Sequence, residues 1–116
     1  MIWTIPFPAH PYRAKVERVV DGDTIVVIID LGLDVSTTVH VRLDGINAPE
    51  IIGASHEQGA AAKKWLTDYL PSGTEVLVNV TGKSFARWVG QMIYNNKSVG
   101  TSLLEVGHAV PWTRPK

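Results

Sequence analysis

The sequence contains no cysteine. Disulfides and thiolate metal sites are thereby excluded, while the absence says little about compartment. No charge of either sign is in excess: Lys+Arg and Asp+Glu are both 11, and the formal net charge is zero. That balance argues against a large non-specific basic footprint on nucleic acid and leaves room for a small local one. No apolar run approaches the ~20 residues of a membrane-spanning helix, so no membrane partner is expected. Met1-Ile2-Trp3-Thr4-Ile5-Pro6-Phe7-Pro8 carries no basic leader and no apolar stretch of signal type. The expected location is cytoplasmic. There is no internal repeat, no low-complexity segment and no evident obligate protein partner.

What is present fits one small globular domain: 116 residues, 45% hydrophobic and 19% charged. Residues 1–12 hold Pro6, Pro8 and Pro11 between Trp3, Phe7 and Tyr12, and read as an extended arm laid on the domain. The domain itself is expected over 13–112, with 113–116 a short tail. Arg13 to Val20 reads as a first strand. Asp21-Gly22-Asp23 is a hairpin-type turn in which Gly22 can take a positive φ. Thr24 to Leu31, rich in β-branched residues, reads as a buried second strand. Gly32 and Asp34 mark a turn. Val35 to Leu43 is a third strand, with Thr37, Val39, Val41 and Leu43 on one side.

Residues 55–70 change to helical spacing. Ser55 and Gln58 resemble a capping box, and Ala61, Trp65, Leu66, Tyr69 and Leu70 form the apolar stripe. His56-Glu57 lacks a second His four residues on and reads as a surface pair. Glu75 to Val80 is a fourth strand and Thr81 to Ser84 a loop. Its Gly-Lys-Ser tripeptide lacks the preceding glycine and following helix of a phosphate-binding loop. Phe85 to Tyr94 is a fifth strand, Asn95-Asn96-Lys97 a turn, and Ser98 to Val106 a short helix closed by Gly107. The fold class is mainly β with two or three helices: a five-stranded Greek-key barrel of OB type.

Chemistry concentrates at Val41 to Glu50. Gly45 invites a bulge there, and Pro49 stops further strand pairing. Arg42, Asn47 and Glu50 thus leave one strand end within a few residues. This is either an ordinary polar turn or a site for phosphate and metal. Asp21 and Asp23 lie at the first turn. Arg87 interrupts an apolar strand, either as an exposed charge or as part of that site.

These pieces resemble the staphylococcal nuclease-like (thermonuclease) family. The matching stretches are Val19 to Thr24, Val41 to Leu43, Ala48-Pro49-Glu50, Phe85 to Trp88, and Leu103 to Ala109. They occur in the family's order across nearly the whole domain. The resemblance implies a calcium-dependent phosphodiesterase acting on DNA or RNA with little sequence preference, leaving 5′-hydroxyl and 3′-phosphate ends. Asp23 is similar to the first metal ligand and Asn47 stands at the second ligand position. Ala48 would offer its backbone carbonyl, and Asp21 would act from the outer sphere. Glu50 would orient or deprotonate water, and Arg42 and Arg87 would clamp the phosphate. Ca²⁺ suits an all-oxygen donor set, and a phosphodiester requires neutralisation by cations.

The departures are specific. Asn47 stands where the family has an aspartate, which removes one formal charge. Asp44 restores it only if its side chain points there. Ala48 replaces a hydroxyl residue and Ala86 a glycine. The family's nucleotide-holding residues lack clear equivalents, leaving Phe85 and Trp112 as the nearest stacking surfaces. Two other classes fit as well. One is a non-catalytic OB module that binds nucleic acid or a protein partner. The other is an accessory protein docking through its aromatic arm.

Overall fold

The structure is a computed structural model that describes residues 11–49, 56–84 and 86–112. Most of the expected arm, the tail, Ser55 with its capping box, Glu50 and Phe85 lie outside the described residues.

Ten elements follow in order: β1 (Tyr12–Asp21), β2 (Thr24–Gly32), β3 (Val35–Leu43), β4 (Ile46–Asn47), α1 (His56–Tyr69), β5 (Glu75–Ser84), β6 (Arg87–Tyr94), β7 (Lys97–Ser98), α2 (Val99–Glu105) and β8 (Val110–Pro111). The main sheet runs β3-β2-β1-β5-β6-β7, and a β3–β6 pairing joins its ends. That pairing is parallel, through Val41–Trp88, Arg42–Val89 and Leu43–Gly90. The five long strands therefore form a closed barrel with no open edge along the joined portion. Alternation supplies the core: Val16, Ile25, Val27, Val41, Leu43, Val78 and Met92 point inward and are buried. No helix among the described residues is long and apolar enough to cross a membrane.

Four expectations shift. Tyr12 is the first residue of β1, paired with Val78. Thr81 to Ser84 continues β5 to a Ser84–Arg87 pair, with a register shift between Val80 and Gly82. β6 begins at Arg87, so this arginine sits at the start of a strand rather than inside one. On β3 only Val41 and Leu43 are fully buried; Val39 is half-buried and Thr37 exposed. Among the described residues the first half of that strand pairs with β2 alone, and the seam with β6 starts only at Val41.

The α1 stripe is also rotated from the expected one. Gly59, Ala62 and Leu66 are buried, with Leu70 just beyond the helix, while Ala61 is exposed. Trp65 and Tyr69 pack at the margin and stack at 4.8 Å between centroids. His56 and Glu57 are exposed, as a surface pair should be. The second helix ends as expected at Gly107. Its N–H donates to the Leu104 carbonyl, and the His108 N–H to that of Leu103, a Schellman closure.

Two bulges shape the end of β1. The pairing with β2 skips between Val16 and Arg18 and again between Val19 and Asp21. Each extra residue sharpens the twist, so the strand end swings away from the ladder. Gly22 follows, and its role differs from the expected one. It does not need a positive φ, and Gly45 rather than Gly22 has that geometry, at +82°. Gly22 is required for space instead. A Cβ there would lie 2.8 Å from both the Ala48 and Ala62 Cβ atoms. The first turn, the Ala48 segment and α1 meet at this point.

Gly22→Ala must separate these three segments. We expect a loss of about 1–3 kcal/mol, the range of overpacked cores, measurable by denaturant unfolding. An unchanged unfolding midpoint would show that the junction yields freely.

Candidate active site

The site grows from the junction at Gly22. Asp21 folds back on its own turn, its Oδ1 accepting the Asp23 N–H at 3.0 Å. Asp23 is then turned inward and is only 8% exposed. Its Oδ1 accepts the Thr24 hydroxyl at 3.2 Å and its Oδ2 accepts the Ala48 N–H at 3.1 Å. The Asp23 carbonyl accepts the Leu43 N–H at 2.8 Å, which ties the start of β2 to the end of β3.

Arg42 lies opposite Thr24 on the adjacent strand, on the same sheet face. Its Nη1 donates to the Leu43 carbonyl at 2.5 Å and its Nη2 to Asn47 Oδ1 at 3.1 Å. The same Nη2 is 3.5 Å from Asp23 Oδ2. Arg87 arrives from the far side of the barrel closure, and its Nη1 donates to Thr24 Oγ1 at 3.4 Å. Thr24 thus accepts from one arginine while donating to the carboxylate that faces the other. Sequence reading placed Thr24 in a strand and in a matching stretch but gave it no role at the site. The signal available was its place directly after Asp21-Gly22-Asp23.

Trp112 completes the cluster. Its backbone N–H donates to the Gly45 carbonyl at 3.0 Å, and its ring centroid is 5.4 Å from Arg42 Cζ. It is positioned by a two-stranded sheet that sequence reading missed, in which β4 pairs with β8 through Ile46–Pro111 and Asn47–Val110. Pairs this short and this distant in sequence leave no periodic signal.

Asp21, Asp23, Arg42, Asn47, Ala48, Arg87 and Trp112 are therefore drawn together. Asp44 is not part of the group. Its carboxylate accepts the Thr81 hydroxyl at 2.8 Å on β5, so it does not restore the charge absent at Asn47. A cleft of about 210 Å³ runs beside the cluster, between Asn47-Ala48-Pro49 and Gly107 to Val110. The larger cavity, about 670 Å³, lies at the opposite strand ends around Arg13, Ile28, Asp30, Glu75 and Asn96. None of the seven residues drawn together around Asp23 lines it.

Burial raises the Asp23 pKa to about 6. A side-chain hydrogen bond and charge repulsion from Asp21 add to the rise, while the Ala48 N–H and Arg42 oppose it. An ionised Asp23 is thus short of positive charge despite its arginine neighbour. Its carboxylate, the Asn47 amide oxygen, the Ala48 carbonyl and Asp21 form an oxygen-only donor set, the chemistry that a hard divalent cation requires. The fit is charge-poor: among the described residues no group of three or more His, Cys, Asp or Glu is placed to hold a metal.

The raised pKa has a definite sign. The folded chain holds the Asp23 proton more tightly than the unfolded chain does. Its contribution to stability is full below the unfolded value near 3.8 and is lost as pH rises to about 6. In chelator, Asp23→Asn should therefore stabilise the protein by about 1–3 kcal/mol at pH 8 and much less at pH 4. Denaturant unfolding at the two pH values checks this; equal effects at both would remove the burial penalty.

Residues 40–115, about two thirds of the chain, match the model of the family described as staphylococcal nuclease homologue. The matched span contains Arg42, Asn47, Ala48, Glu50, Arg87 and Trp112. Asp21 and Asp23 precede it; Asp23 joins the others through the Ala48 N–H and Arg42, and Asp21 through the Asp23 N–H. No curated protein matches the chain.

Proposed function

The chain belongs to the staphylococcal nuclease homologue family, and from that premise we propose that it is a metal-dependent nuclease that hydrolyses DNA or RNA with low sequence preference. One observation carries the reading. Arg42 from β3 and Arg87 from β6 both reach the Asp23–Thr24 pair, so two guanidinium groups converge beside a buried carboxylate. A packed core has no use for that combination, whereas a phosphodiester does.

In this reading Asp23, Asn47 and the Ala48 carbonyl would hold Ca²⁺, and Asp21 would act from the outer sphere. When bound, the cation neutralises phosphate charge and lowers the barrier to attack by water. Arg42 and Arg87 bind the phosphate oxygens and stabilise the charge that accumulates in the transition state. Glu50, three residues beyond Asn47, takes a proton from the attacking water. The water oxygen bonds to phosphorus and the P–O5′ bond breaks. Protonation of the departing oxygen gives a 5′-hydroxyl, and phosphate stays on the 3′ side. Phe85, outside the described residues, would contact a base in this reading. A non-catalytic nucleic-acid-binding module is the second reading, favoured by the uncharged amide at Asn47.

Supercoiled plasmid, single-stranded DNA and RNA incubated with Ca²⁺, Mg²⁺, Mn²⁺ or chelator separate the two. We expect metal-dependent cleavage, reduced about 10²- to 10⁴-fold in Glu50→Gln and in Arg42→Ala. Binding without cleavage under every metal would establish the module instead. Asn47→Asp adds the missing charge and should tighten Ca²⁺ roughly tenfold by calorimetry, since ligand charge tunes affinity. Unchanged affinity would take residue 47 out of the ligand set.

A further inference from the structure

We propose that Trp112 is a positioning residue for the Arg42 guanidinium and not a stacking surface for a substrate base. The inference rests on the nuclease reading above.

The local chain dictates where the ring goes. Val110 and Pro111 pair with Asn47 and Ile46, and the Trp112 N–H donates to the Gly45 carbonyl. Three consecutive residues are thereby fixed against the segment that follows β3. Gly45 makes this possible: its φ of +82° turns the chain so that β4 can meet β8 immediately after β3 ends. The indole then lies beside Arg42, with Cζ 5.4 Å from the ring centroid, inside the range of a cation–π contact. Trp112 as a residue remains 38% exposed, so the contact lies at the solvent boundary.

The character of the groups around Arg42 gives this contact its purpose. Leu43 and Asn47 each accept one N–H through a neutral oxygen, and the ring is neutral too. The sole carboxylate close by is that of Asp23, at 3.5 Å among the described residues. Neutral partners orient a guanidinium without cancelling its charge. The fork has further N–H groups beyond those taken by Leu43 and Asn47, and these can serve a phosphate. With an amide in place of a carboxylate at 47, one strong anchor for Arg42 is missing. The indole face supplies an orienting force of another kind.

The two roles for Trp112 predict different kinetics. A base-stacking residue contributes to substrate affinity, and its loss raises KM. A residue that orients Arg42 acts on the charge of the transition state, and its loss lowers kcat. The experiment measures cleavage of a fluorescent single-stranded oligonucleotide with Ca²⁺ by Trp112→Leu and Trp112→Phe, each in the parent and in Arg42→Ala. Arginine Nε–Hε resonances are followed in parallel by NMR. We expect Trp112→Leu to lower kcat about two- to thirtyfold with KM little changed. Trp112→Phe should restore most of the rate, and Trp112→Leu should cost nothing further once Arg42 is gone. The Arg42 resonance should lose its ring-current shift in the Leu variant and move partway in the Phe variant. A rise in KM that persists without Arg42 would assign the ring to a base and overturn the proposal. So would an Arg42 resonance that neither variant moves. Should the Leu variant fail to fold, the partial shift in the Phe variant carries the same test. If the parent cleaves nothing, the nuclease reading falls, while the resonance still decides whether the ring holds Arg42.

Discussion

Asp23 is a carboxylate kept almost entirely from water, and its neighbourhood is built around that fact. An unpaired charge in such a place costs several kcal/mol, so it persists only where donors are supplied. Here they come from three directions: the Ala48 N–H, the Thr24 hydroxyl and the Arg42 guanidinium. The supply remains incomplete, which is why the proton is held up to about pH 6. A side chain optimised for stability alone would be neutral at this position. Retaining an acid there leaves the molecule with an unmet demand for positive charge at one defined point.

The rest of the fold serves to bring donors to that point. Bulges in β1 swing the first turn outward, and the absence of a Cβ at Gly22 lets α1 and the Ala48 segment close on it. The β2–β3 register sets Arg42 across from Thr24, and the parallel seam between β3 and β6 carries Arg87 to the same hydroxyl. The small β4–β8 sheet secures Asn47 and delivers the indole to Arg42. Each of these couples segments distant in sequence, so the site is a property of the barrel and not of any single motif.

That explains what could be read from the chain and what could not. The strands β1 to β3 and the two helices follow period and turn residues, which are local. The grouping of Asp21, Asp23, Arg42, Asn47 and Arg87 was legible because unusual polar residues sat at strand ends and in a recognisable order. The course of Asp44 was not, because alternation gives a face and cannot name Thr81 as the partner on β5. Thr81 to Ser84 looked like a loop because its strand character is imposed by pairing with β6. Gly22 was read as a conformational glycine because crowding by Ala48 and Ala62 is visible only in three dimensions. The contact between the indole of Trp112 and Arg42 was not legible, because nothing local in the sequence links the two.

The parallel seam between β3 and β6 has a consequence for the unfinished molecule. Val41 to Leu43 and Trp88 to Gly90 are separated by the whole of α1 and β5, so their pairing demands closure of a long loop and is slow to form. Until it forms, the two arginines belong to separate hairpins. A nascent or partly opened chain therefore carries all the reactive side chains without their arrangement. Whatever chemistry the site performs is withheld until the ring is sealed and is surrendered when the seam parts.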